Sequence, residues 1–167
     1  LSCYREIHGL PATENAADPA YTHGVRRLLD FLESADIPAT LFVIGSDLST
    51  QEHAEIVMEA HAAGHEIGNH SYSHDYALRD KGIVAITNDI LAGGDAIESV
   101  TGCEPVGFRT PGYNVSSEIL QVCESSGYLY DSSVFPCPPY YFAKAGIMGW
   151  RAATGQPSRS SMTRLET

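Results

Sequence analysis

Between residues 21 and 133 the apolar positions alternate between a helical period and short strand-like runs. Val25, Leu28, Leu29 and Leu32 follow the i, i+3, i+4, i+7 spacing of a helical stripe, and Pro38 closes the loop behind it. ATLFVIG (39–45) is a short apolar run of strand formers bounded by Pro and Gly, the pattern of a buried parallel strand. Residues 50–63 return to a helical stripe of Ile56, Val57 and Ala60, with Gly64 as its stop. A short strand over 65–69 follows at once. Residues 81–100 predict a long helix with Ile83, Ile86, Ile90 and Ile97 on one face, ended by Thr101-Gly102. Strands are predicted at 106–108 and 128–133, separated by a helix over 116–124 that Ser116 can cap. The strand, helix, strand rhythm is that of an α/β fold with parallel strands. Four strands are too few for a closed eight-stranded barrel of about 250 residues. Residues 1–19 read as an irregular lead and 151–167 as a loose polar tail.

Composition narrows the function classes. A chain of 167 residues with 43% apolar content fits one domain. Ten Lys and Arg against 21 Asp and Glu give a net charge of −11, which opposes binding to nucleic acid or anionic membranes. No apolar run approaches the ~18 residues of a membrane-spanning helix. LSCYREIHGL at the start shows no charged segment followed by an apolar one, so no signal peptide is visible and the cytoplasm is slightly favoured. The chain begins without Met, as a processed chain or a piece of a longer one would. Cys3, Cys103, Cys123 and Cys137 form no C-x-x-C pair and are expected to be isolated, mostly buried thiols, one disulfide being the alternative.

Three polar clusters fall just beyond predicted strands, where parallel α/β folds place their chemistry. In Asn69-His70-Ser71-Tyr72-Ser73-His74 the histidines are four apart, so both imidazoles of a helical turn can face one metal ion. The plain alternative is a pair of surface or core histidines. In Arg109-Thr110-Pro111-Gly112-Tyr113 a guanidinium precedes a rigid turn whose glycine can present a backbone N–H to an oxyanion. A surface Arg before an ordinary turn reads the same way. Asp131, in Tyr130-Asp131-Ser132-Ser133, fits a catalytic carboxylate or a turn cap.

These clusters together resemble a known family. GHEIGNHSYSH (64–74) is similar to the metal-binding motif of NodB-type polysaccharide deacetylases, carbohydrate esterase family 4. PATLFVIG (38–45), FRTPGY (108–113) and YDSSVFP (130–136) resemble its neighbouring motifs in order and spacing, over residues 21–140. The resemblance implies a partial, distorted (β/α) barrel in one domain spanning 1–167. It also implies a hydrolase that removes N-acetyl or O-acetyl groups from carbohydrate with a divalent metal, usually zinc. Carried over, His70 and His74 are metal ligands and Ser71 orients their loop. Arg109 holds the base carboxylate, and Pro111, Gly112 and Tyr113 form the substrate and oxyanion turn. Asp131 supports the catalytic acid. The family's Asp-Asp motif, which supplies the base and a third metal ligand, is absent from 1–21, and no His follows His74 to act as the acid. The first strand is therefore expected just before Leu1, the last motif beyond the chain, and this chain alone is expected to be inactive. A small-molecule amidase on the same scaffold and an inactive carbohydrate-binding relative are the alternatives. Tyr72, Tyr76, Tyr113, Tyr128 and Tyr140 are available to line a glycan groove.

Overall fold

A computed structural model describes residues 19–134 and 137–155. A π-helical turn, Ala20–Val25, leads directly into α1 (Arg26–Ala35). Asp36 ends α1 in the left-handed conformation (φ 53°), with its N–H on the Leu32 and Glu33 carbonyls. Then follow β1 (Thr40–Val43), a 3₁₀ turn (Gly45–Ser49), α2 (Gln51–Ala62) and β2 (Glu66–Asn69). The second half comprises α3 (Ile83–Thr101), β3 (Gly107–Phe108), α4 (Ser117–Ser125), β4 (Tyr130–Asp131) and α5 (Pro138–Ala153).

The local signals behind these elements are the ones that physical chemistry requires. Gly64 turns α2 into β2 at φ +89°, and Gly102 closes α3 in the left-handed region at φ 74°. Ser116 caps α4 by accepting the Ile119 N–H at 3.3 Å. The four strands are parallel and lie in chain order, β1-β2-β3-β4, with Leu41 opposite Ile67, Asn69 opposite Phe108, and Phe108 opposite Asp131. Each strand adds beside its predecessor, which is the order of a (β/α) barrel; a doubly wound sheet reverses direction part-way.

Two apolar clusters hold the layers together. Val43, Leu48, Val57, Ala60, Ile67 and Ile97 form one; Leu78, Ile86, Ile90, Phe108, Ile119, Val122 and Cys123 form the other. Helix α3 joins them, because Ile86 and Ile90 enter the second cluster while Ile97, two turns on, enters the first. Each isoleucine so buried contributes about 1.5–3 kcal/mol.

Four expectations need correction. Ile83 is 44% exposed: it opens α3, one turn before the helix meets the core. The last two strands are shorter than their apolar runs, with only two residues each in the ladder. Cys103 is exposed and Cys137 half-buried; with buried Cys123 they are free thiols, while Cys3 lies outside the described residues. Finally, the stretch before the polar tail is helical. Pro138 and Pro139 occupy the first turn of α5, where a missing N–H costs nothing. No residue of α5 is buried, so no core-facing stripe marks it. Arg151 belongs to its last turn; the reading of 156–167 as loose tail, like that of 1–18 as an irregular lead, falls outside the described residues. Among the described residues no helix is long and apolar enough to cross a membrane.

Candidate active site

Parallel strands put all their C-terminal ends on one side, so β2, β3 and β4 deliver His70, Arg109 and Ser132 to the same rim. His70, His74, Arg109, Gly112 and Tyr113 line a single cavity of about 840 Å³. Pro111 and Asp131 are not among its described lining residues.

The histidine loop is not a helical turn. Ser71 and His74 both sit in the left-handed region (φ 65° and 52°), a conformation costing non-glycine residues about 1–3 kcal/mol each. The surroundings impose it. The Gly45 and Ser46 N–H groups donate to the Ser71 and Tyr72 carbonyls at 2.9 and 3.0 Å. Asp89 of α3 accepts the Tyr72 N–H on its carbonyl and the Ser73 N–H on Oδ1, both at 3.1 Å. Buried Ser71 accepts the His74 N–H at 3.0 Å, which folds the second histidine back toward the first. The ring centres are 4.9 Å apart and tilted by 60°. A tetrahedral ion bound about 2.1 Å from one nitrogen of each ring would require a separation of about 5 Å.

The state of each ring suits a ligand. His70 donates its Nδ1 proton to the Arg109 carbonyl at 2.6 Å, which leaves the lone pair on Nε2. His74 has a buried Nδ1 with no hydrogen-bond partner, and its ring meets the Tyr76 ring edge-on at 5.1 Å. Burial drives His70 down to about 4, with the nearby His74 and Arg109 charges adding to the effect against the Arg109 carbonyl bond. Burial also lowers His74, opposed by the charge of Asp47. Both rings are therefore neutral near pH 7, as metal binding demands. The two histidines fit a metal ion as a pair; among the described residues no cluster of three His, Cys, Asp or Glu gathers anywhere.

Among the described residues no carboxylate pairs with Arg109. Its Nε and Nη2 donate to the Ser132 carbonyl and hydroxyl at 3.1 and 2.7 Å. The guanidinium carbon lies 4.3 Å from the Phe42 ring centre and 5.8 Å from that of Tyr113. Such stacking contributes about 0.5–2 kcal/mol and fixes the plane of the group.

The turn that follows Arg109 is locked from two sides. Gly112 has φ +65°, and a Cβ there would fall 2.5 Å from the Tyr76 ring, so only glycine fits. Asn114 donates from Nδ2 to the Tyr76 carbonyl at 3.0 Å, tying the turn to the histidine loop. From β4, Asp131 accepts the Ser133 N–H on Oδ1 at 3.0 Å and the Ser133 hydroxyl on Oδ2 at 2.6 Å. Ser133 Oγ in turn receives the Thr110 N–H at 2.8 Å. Asp131 thus orients the turn through Ser133. Of the five available tyrosines, Tyr76, Tyr113 and Tyr140 line the cavity; Tyr128 packs against the core, and its hydroxyl oxygen accepts from Asn69 Nδ2 at 2.6 Å.

Residues 17–130 match the polysaccharide deacetylase family. The chain belongs to that family. Among curated relatives, it is 34% identical over 115 residues to a peptidoglycan-N-acetylglucosamine deacetylase of Bacillus cereus, a match covering 69% of this chain and 51% of the relative. It is 32% identical to a chitin deacetylase of Pestalotiopsis, over 65% of this chain and 36% of that one. Among solved structures, the family 4 carbohydrate esterase from Streptomyces lividans in complex with acetate aligns with a TM-score of 0.59 at 25% identity, covering 65% of this chain and 55% of that one. The chain therefore spans about half, or less, of the deacetylase relatives it matches. The matched stretch contains the histidine loop and the Arg109 turn. The family match ends at residue 130, before α5, which also lines the cavity and which the strand-end motifs did not announce.

Proposed function

We propose that this chain carries the metal-binding and oxyanion side of a carbohydrate deacetylase acting on N-acetyl, or O-acetyl, groups. The observation that carries the reading is the single cavity shared by two neutral histidines, a stacked arginine and a left-handed Gly112 turn. His70 and His74 would hold a divalent ion, most simply Zn²⁺. When bound, that ion polarises an acetyl carbonyl and lowers the pKa of a water. Ring tautomer and loop position are set in advance by the Arg109 carbonyl and Ser71. Gly112 offers a backbone N–H toward the oxygen that becomes negative during amide attack. Tyr113 and Tyr76 supply aromatic faces for a sugar ring. Arg109, carrying five N–H donors of which Ser132 engages two, retains donors for a carboxylate base or a substrate oxygen. Asp131 acts as a positioning residue through Ser133 and Thr110.

The test is acetate release from N-acetylglucosamine oligomers in the presence of zinc. The chain alone is expected to give no turnover. Joined to a preceding Asp-Asp segment and a following His segment, it is expected to turn over, and His70→Ala should abolish this. A soluble, zinc-loaded extended protein that releases no acetate from glycans would sink the reading.

A further inference from the structure

Charge is distributed unevenly around the cavity. In a chain of net charge −11, three cations, Arg109, Lys144 and Arg151, line it, and no Asp or Glu is among the described lining residues. Lys144 and Arg151 come from α5, seven residues apart, so they rise from one helix face about 10 Å apart along its axis. That distance is on the scale of a disaccharide. Both side chains are half-buried, and among the described residues neither is paired with a carboxylate. The nearest feature to the Lys144 ammonium is the Tyr140 ring, 5.8 Å from its centre, an arrangement that can seat a sugar face beside a positive charge. Burial pulls the Lys144 ammonium below its ordinary range, and no carboxylate among the described residues is paired with it. Arg109 is held at the strand ends by Ser132 and two rings, whereas among the described residues no side chain accepts from or pairs with the two α5 cations, which face an incoming anion unengaged.

We propose that Lys144 and Arg151 make this cavity selective for acidic glycans, in which a sugar bearing a carboxylate flanks the acetylated one. The inference rests on the deacetylase reading for the acetyl group, and on the α5 wall for the acid. A carboxylate entering here removes the desolvation penalty of a half-buried ammonium and meets a guanidinium able to bind it through two parallel hydrogen bonds. The acidic remainder of the surface repels such polymers, so the positive wall also orients them on approach.

Calorimetric titration of the natural chain with three tetrasaccharides tests this. One is neutral and acetylated (N-acetylglucosamine tetramer), one acidic and acetylated (alternating N-acetylglucosamine and glucuronic acid), and one acidic without acetyl groups (galacturonic acid tetramer). At about 50 mM salt the acidic acetylated sugar is expected to bind about tenfold tighter than the neutral one, and the ratio should shrink toward unity at about 500 mM. In Lys144→Gln/Arg151→Gln the ratio should fall to within about twofold; should circular dichroism show that the double variant is unfolded, the single variants and the salt series carry the comparison. Equal affinity for the neutral and acidic acetylated sugars, a preference that survives both substitutions, or no binding of any acidic sugar overturns the proposal. Galacturonate binding as tightly as the acidic acetylated sugar would leave the α5 wall standing while removing the acetyl-recognition reading.

Discussion

His70 and Arg109 are joined through a 2.6 Å hydrogen bond from the imidazole Nδ1 to the arginine's backbone carbonyl. The ends of β2 and β3 are thereby tied by the candidate ligand itself, independently of the guanidinium. One consequence is that the His70 tautomer survives any change to the Arg109 side chain. Removing the imidazole, by contrast, takes away one of the two proposed metal ligands and leaves a strand-end carbonyl without its partner.

Zinc affinity follows from this arrangement. Two protein ligands are expected to bind zinc far more weakly than a complete three-residue site. His70→Ala and His74→Ala should each weaken binding by more than about tenfold, whereas Arg109→Met should change it by much less. Competition against a chelating dye measures this. Tight stoichiometric binding by the natural chain would reveal a third ligand.

Stability of the metal-free chain should depend on pH in a definite window. The folded pKa of His70 lies at about 4, below the 6.5 of the unfolded chain, and that of His74 is lowered as well. Between these limits the unfolded state binds more protons, so stability is full above pH 6.5 and falls as the pH drops toward 4. The loss from His70 is of order 1–3 kcal/mol, the upper end being reduced because the ring is partly accessible. Urea denaturation across pH 4–7 should show it, and His70→Gln should flatten the slope. An unchanged slope in that variant would assign the effect elsewhere.

Gly112→Ala is expected to destabilise the fold by about 1–3 kcal/mol, through the left-handed backbone and contact with the Tyr76 ring. Gly146→Ala is the control. It lies inside α5 with nothing near its missing Cβ, so a gain of about 0.5–1 kcal/mol is expected there. Midpoints of chemical denaturation that move together would contradict the account of the turn.

Ser133→Ala removes the hydroxyl that links Asp131 to Thr110. The expected cost is about 1–3 kcal/mol, because buried donors and acceptors lose their partner. Zinc affinity should be nearly unaltered, since neither residue touches the histidines. A large fall in metal affinity would mean that Asp131 acts on the metal site directly.

Cysteine reactivity offers a fifth check. Cys123 is buried and its thiol is pushed up to about 12, while Cys103 is exposed. Alkylation followed by peptide mapping should modify Cys103 first and Cys123 only on unfolding. Early labelling of Cys123 would contradict the packing of α4.

How much of this was legible in the sequence follows from the range of each interaction. Helical stripes such as Ile56-Val57-Ala60, stops such as Gly64 and Gly102, and the Ser116 cap act within one or two turns, so order and spacing announce them. The same holds for the strand-end positions of His70, Arg109 and Asp131, because β2, β3 and β4 end there and all run the same way. Convergence of the histidines was legible in its result and not in its cause. A four-residue spacing suggests a helical turn, whereas a left-handed loop brings the rings together, held by Gly45, Ser46 and Asp89 from distant segments.

What tertiary structure alone decided lies in partners that are far apart in sequence. Phe42 stacks on Arg109 and Tyr76 requires a glycine at 112. Asp131 faces Ser133, away from the cavity, and α5 turns Lys144 and Arg151 inward without burying one apolar residue. Periodicity records only how a segment meets a core, so it cannot name the side chain that a loop will meet, nor mark a helix whose contribution is charge. The sequence by itself determined the parallel α/β rhythm and which strand ends gather the candidate residues; the packing of distant segments decided which of those residues share a cavity.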